Sequence, residues 1–179
     1  RHVRRVIRFA LLYPFWHPAR WTELWLRGTP SRRLRRSLEA SFPDIRAGDI
    51  LLIRLHWPAP WGRWAHTAIA IDAQNFCHGF AKTVTAHGLA ALPVRYAVAH
   101  LRPRCPAATA QVAADVARTF VGRPVSVIAR RNDSAKVSCA TLVTQAYVHG
   151  GLELVGPEIP RITPDDIFAS DQVRLIRIV

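Results

Sequence analysis

Apolar residues fall at two periods along the chain, helical near the N-terminus and strand-like over most of the remainder. Val3, Val6, Ile7, Ala10 and Leu11 recur at helical spacing with Arg1, Arg4, Arg5 and Arg8 opposite, which predicts an amphipathic basic helix over residues 1–13. Ser31 is a good N-cap for a second basic helix, Ser31–Ala40, with Leu34 and Leu38 on one face and Pro43 ending it. The turn Ala47-Gly48-Asp49 then opens a run of short strands. Asp49–Trp57, Thr67–Ile71, Phe76–Thr83, Val94–Leu101, Val125–Ala129 and Val173–Val179 carry the β-branched and alternating patterns. Helices interrupt at Ala107–Val121, stopped by Gly122, and at Cys139–His149, stopped by Gly150-Gly151. A short helix follows Thr163, with Pro164 at its first position and Asp165 and Asp166 in its first turn. Antiparallel strands with a few helices predict an α+β fold, one sheet packed against helices. At 179 residues the chain fits one domain, read as residues 44–179 behind a basic helical extension, residues 1–43.

Composition narrows the possibilities. Half the residues are hydrophobic and 21% charged, enough for a packed core and against wholesale disorder. Three cysteines are too few for a disulfide scaffold. The longest uncharged N-terminal run, Phe9 to Ala19, is broken by Pro14 and Pro18, whereas a bilayer-spanning helix needs roughly 20 residues. No transmembrane segment is expected, and the same broken run makes a poor secretory signal. The chain does not begin with Met, which fits a domain cut from a longer polypeptide.

The charge is lopsided at +13, and the first forty residues hold ten Arg against Glu23 and Glu39. Such a block suits an anionic partner, whether nucleic acid, anionic lipid or an acidic protein surface, although a GC-rich genome also favours Arg over Lys. Trp16, Trp21 and Trp25 beside these arginines match a segment lying in a lipid interface; a helix packed on its own domain has the same pattern.

Three residues carry candidate chemistry. Ser138 is a suitable N-cap, placing Cys139 in the first helical turn, where unpaired N–H groups and the helix dipole lower a thiol's pKa and can receive an oxyanion. A small buried cysteine is the alternative. A nucleophilic Cys needs a base and something to orient that base. His66 opens one predicted strand and His78 lies in the next. The two imidazoles share a sheet face if a three-residue turn sets Ala68 against His78; a two- or four-residue turn puts them on opposite faces. Zinc is a weak alternative for His66, His78 and Cys139, since the spacing has no CxxC or HxxxH pair. No metal or cofactor is expected.

Taken together, Gly48-Asp49-Ile50-Leu51-Leu52, Trp64-Ala65-His66-Thr67-Ala68-Ile69, Ser138-Cys139-Ala140-Thr141-Leu142-Val143 and Thr163-Pro164-Asp165-Asp166 resemble the circularly permuted branch of the NlpC/P60 papain-like superfamily. The YiiX/YebB-like proteins are the nearest group, with the lecithin:retinol acyltransferase-like proteins as cousins. The resemblance runs from about Asp44 to the C-terminus. It implies Cys139 as nucleophile, His66 as general base and His78 as the orienting residue, where many YiiX-like members have Glu. The second His is instead similar to the lipid-acting acyltransferase-like group. Related enzymes place a Tyr upstream of the Cys to help hold the oxyanion; here the stretch reads Arg123-Pro124-Val125-Ser126-Val127, leaving a second donor unassigned.

The expected function is a thiol-dependent acyl hydrolase or acyltransferase acting on phospholipid esters at an anionic membrane surface, in the manner of a phospholipase A. The Trp-rich loop Trp57–Trp64 next to His66 suits acyl chains, or a structural lid. The alternative is a peptidase or amidase of cell-wall peptides. A non-enzymatic membrane- or nucleic-acid-binding module ranks third, because no nucleic-acid recognition motif accompanies the charge. A peripheral membrane or cell-envelope location, as of a secreted bacterial toxin or effector domain, goes with the first two.

Overall fold

The computed structural model describes residues 41–54, 62–92 and 97–179. The two basic helices expected within residues 1–40, and Trp57–Trp61 of the Trp-rich loop, lie outside these residues. Among the described residues, six strands form one sheet: β1 (Ile50–Arg54), β2 (His66–Ala70), β3 (Asn75–Phe80), β4 (Thr83–Gly88), β5 (Ala97–Pro103) and β6 (Val173–Ile178). Their order is β4-β3-β2-β1-β5-β6 and every neighbouring pair is antiparallel. Three helices accompany them: α1 (Ala107–Thr119), α2 (Cys139–His149) and α3 (Pro164–Phe168). No helix among the described residues is long and apolar enough to cross a membrane.

Alternation assigns the two faces of the sheet. Ile50, Leu52, Ile69, Ile71, Cys77 and Leu101 bury against α1 and α2, meeting Ala113, Ala117, Leu142, Val143 and Tyr147. Leu51, Ile53, Ala68, Ala70, Phe76 and Val98 face the other way and are covered by Phe42, Ile45, Leu89 and Leu92. With both faces buried, a one-residue slip would exchange two different apolar sets, so the register is strongly specified.

Two helix starts form as their sequences predict. Ser138 Oγ accepts from the Thr141 amide at 3.0 Å while the Ser138 amide donates to Thr141 Oγ1 at 2.7 Å. Thr163 and Asp166 make the same reciprocal box at α3, with Pro164 following the cap.

Two expectations fail for identifiable reasons. The predicted strand Phe76–Thr83 is really the end of one strand, a tight turn and the start of another. The turn is Ala81-Lys82, with Ala81 at φ +58°, a conformation that Gly or Asn ordinarily signals. The next strand, β4, is a polar edge strand whose one buried residue is Val84. The segment Val125–Ala129 is not a strand. It makes a single bridge, Val125 to Val137, because Pro124 has no N–H to extend a ladder, and Val127 and Ile128 are left exposed.

The turn into β1 is held by a buried charge cluster. Asp49 accepts from the Arg46 amide at 2.9 Å, from His100 Nε2 at 2.8 Å, and from Arg102 through Nε and Nη2 at 2.8 and 2.7 Å. Burial pushes its carboxyl up, but Arg102, His100 and the Arg46 amide outweigh this and hold it below the ordinary range. Next to it, Gly48 has φ +85°, and a Cβ there would stand 2.6 Å from Tyr147 Oη and 2.7 Å from the Ala110 Cβ. The Tyr147 hydroxyl donates to the Gly48 carbonyl at 2.5 Å.

Gly48→Ala therefore combines left-handed strain with overpacking between β1, α1 and α2. It should lower the unfolding free energy by about 3 kcal/mol. Urea titration checks this, and a loss below about 1 kcal/mol would show that the close approach is readily relaxed.

Candidate active site

The loop between β2 and β3 sets the geometry of the two candidate histidines. Asp72 Oδ1 accepts from the amides of Gln74 and Asn75, both at 2.8 Å, and the Ile71 amide donates to the Asn75 carbonyl at 2.9 Å. Residues 72–74 thus form a three-residue turn, and the register runs Ile69↔Cys77 and Ala70↔Phe76. His66 and His78 consequently project from the same face, and His66 Nε2 lies 3.0 Å from His78 Nδ1. Phe80 closes the group, edge-on to His66 at 5.7 Å and tilted against His78 at 6.1 Å. From β4, His87 approaches His78 at 5.9 Å between ring centroids.

Both imidazoles are buried, and burial favours the neutral form. It pushes His66 down to about 3, with the charge of His78 adding to the effect. It pushes His78 down to about 4, with His87 adding there. The pair is neutral at physiological pH, so one proton joins the two rings.

Cys139 begins α2 and is half-buried. Its sulfur accepts hydrogen bonds from the backbone N–H groups of Thr67, Ala140 and Cys139 itself, yet burial outweighs all three and pushes the thiol above its ordinary pKa. This corrects the expectation of a lowered value at a helix start: donors favour the thiolate, but removal from water costs more. The resting state is a neutral thiol and two neutral imidazoles.

Two strand residues admit the helix start. A Cβ on Gly79 would lie 3.6 Å from the Cys139 amide nitrogen and 3.0 Å from Val125 Cγ2, so a side chain there would crowd Val125. The β2–β3 ladder stops at Ile69↔Cys77, which frees the Thr67 N–H for the sulfur. By alternation, the imidazoles project from the face turned away from α1 and α2, whereas Cys139 arrives from the helical side. The structure joins His66 to His78 and sets Cys139 against the peptide immediately after His66. Among the described residues no hydrogen bond links the sulfur to either ring.

Several neighbours were not singled out from sequence. His87 and Phe80 join the cluster through β4 and its turn, whose polar edge pattern concealed them. Thr67 contributes its amide, and its buried Oγ1 has no partner among the described residues. Burial raises the Asp165 carboxyl, against lowering by the amides of Arg63 and Trp64, so it holds the chain just ahead of His66. The first turn of α3 had suggested only a helix-dipole role for it. Cys77 faces the helices, as expected of a residue adjacent to His78; its thiol donates to the Ala117 carbonyl at 3.1 Å and burial pushes it up to about 12. Among the described residues, no group of three or more His, Cys, Asp or Glu side chains is arranged to hold a metal ion.

No protein-family model matches the sequence, and no curated protein matches it. Among solved structures, the fold is similar to that of metalloprotein yiiX from Escherichia coli O157:H7, DUF1105, with a TM-score of 0.58 and 12% identity. The match covers 74% of this chain and 96% of that one. It establishes a shared mixed α/β fold.

The depressed His pKa values fix the sign of an acid effect. The unfolded chain binds protons at these rings near pH 6.5 while the folded chain resists until about pH 4 for His78 and about pH 3 for His66, so stability falls with pH across that interval. Unfolding free energies measured from pH 7 to 4 should decline, and less steeply in His66→Gln. Identical slopes in the two proteins would mean that His66 titrates normally when folded.

Proposed function

We propose that the chain is a cysteine-dependent acyl hydrolase or acyltransferase, built on a circularly permuted papain-like frame and acting on phospholipid esters at a membrane surface. The observation that carries this reading is the 3.0 Å His66–His78 bond, one peptide away from a sulfur at a capped helix start. In such a site His66 holds its proton on Nε2 and donates it to His78 Nδ1. His66 Nδ1 is then left with the lone pair that a base needs, and His78 acts by fixing ring and tautomer.

With thiol and imidazole both neutral, proton transfer accompanies attack. The step requires the His66 ring, which heads β2 on the face away from α2, to swing past the strand start to the sulfur; its Nδ1 then takes the Cys139 proton as the sulfur adds to the ester carbonyl. The N–H groups around the sulfur and the α2 start stabilise the charge that develops. Collapse breaks the C–O bond, and the imidazolium returns its proton to the departing alcohol. Water, or a second alcohol, then gives its proton to His66 and cleaves the thioester, restoring the thiol.

The lipid preference rests on the surroundings. Phe80, which touches both rings, is 50% exposed, and Val127 and Ile128 are 72% and 59% exposed. The latter two belong to the segment that packs on Gly79 and whose Val125 amide donates to the Lys82 carbonyl. Lys82, Arg123, Arg130 and Lys136 flank these apolar positions in sequence, a combination suited to an anionic interface. A hydrolase of soluble wall peptides has no need of exposed apolar side chains beside its site.

Anionic phospholipid vesicles and purified peptidoglycan should be incubated side by side with wild type and Cys139→Ala. Fatty acid or lysolipid should be released by wild type, with the variant reduced by about 10³-fold or more. Product from peptidoglycan alone would make the chain a wall amidase, and product from neither would remove the enzymatic reading.

A further inference from the structure

At the opposite end of the sheet from His66 and Cys139, a cavity of about 670 Å³ opens beside the start of β1 and is lined by Arg46, Arg102, Arg104 and Arg174. Asp49 is the sole acidic residue of the lining, and its oxygens are already committed to His100, Arg102 and the Arg46 amide. The β5–β6 register places Arg102 directly opposite Arg174, and like charges facing each other across strands are destabilising. Among the described residues, the side chains of Arg46 and Arg174 have no hydrogen bond or ion pair. Arg102 is held rigidly by Asp49 and by the Asp44 carbonyl. The first turn of α1 also opens here, through Pro106, Ala107 and Ala110; it has no side-chain cap and no acidic residue.

We infer that this cavity is a binding site for a phosphate monoester carried on a small hydroxylated group. Guanidinium forks match phosphate oxygens in pairs, and a dianion relieves the repulsion that the register imposes. A volume of about 670 Å³ exceeds what bare phosphate needs and falls within the range of small-molecule sites. No aromatic side chain lines it, so nothing stacks on a nucleobase, whereas Gln111, whose Nε2 donates to Asp115 Oδ1 at 3.1 Å, keeps its side-chain oxygen as an acceptor for hydroxyls. A glycerol phosphate or sugar phosphate fits this lining, either as a free molecule or as a lipid headgroup.

Binding of glycerol 3-phosphate and of inorganic phosphate should be followed by calorimetry and thermal shift, with sodium chloride matched for ionic strength. Wild type should be stabilised by both phosphates beyond the chloride control. Arg46→Ser and Arg174→Ser, each at an exposed position, should weaken binding by about tenfold or more; the unliganded melting temperature should stay nearly unchanged in Arg46→Ser and rise slightly in Arg174→Ser, which relieves the Arg102 repulsion. Arg161→Ser, outside the cavity, should bind like wild type. Phosphatidic acid vesicles that compete with glycerol 3-phosphate would make the ligand a lipid headgroup; soluble binding without such competition would make it a free molecule. Equal binding by wild type and both cavity variants, or no effect beyond chloride, would overturn the assignment.

Discussion

Helix α2 is fastened to the sheet at both ends, and the candidate site exists because of that fastening. At its N-terminus the Cys139 amide packs on Gly79 and the sulfur takes the Thr67 N–H. Near its C-terminus the Tyr147 hydroxyl reaches the Gly48 carbonyl. The chain can come this close only where the strands present bare backbone, at Gly79 in β3 and at Gly48 ahead of β1. Between these points Leu142, Val143 and Ala146 bury against Ile50, Leu52 and Ile69, so apolar packing supplies adhesion while the ends supply position.

The two ends of the sheet are electrostatic opposites. Around His66 and Cys139 burial keeps the thiol and the paired imidazoles neutral, which suits a site where protons move in step with bond making and charge appears only in transit. Around Asp49 the carboxylate and the guanidiniums stay charged, because the carboxylate is satisfied by four donors and the surplus guanidiniums face a cavity. A neutral, partly apolar end beside exposed Phe80, Val127 and Ile128 is suited to an acyl chain, and a cationic end is suited to a phosphate.

Much of this was legible in the sequence wherever local chemistry and tertiary need agree. Ser138, Thr163 and Pro164 announce helix starts that form as read, and the run from Asp49 through Ile53 announces β1. The hairpin that brings His78 to His66 was legible only as one of three turn lengths; the Asx-type bonds of Asp72 select among them. What escaped depends on partners distant in sequence. Ala81 takes a left-handed turn without the usual residue, so β4 and with it His87 were hidden. The Arg cavity is assembled from the β1 turn, the end of β5 and the start of β6, segments widely separated in the chain, and no local pattern marks it. The Cys139 thiol went astray for a related reason: a helix start is visible in sequence, but the burial that overrides it is not.

The central claim is that Cys139 becomes the nucleophile through His66, and the covalent intermediate tests it most directly. Wild type quenched in acid during turnover with phospholipid, then digested and weighed by mass spectrometry, should carry the fatty acyl group on the peptide containing Cys139. Neutral hydroxylamine should remove it, as expected of a thioester. Free fatty acid accumulating while that peptide stays unmodified, or an acyl group mapped to another residue, would contradict the account.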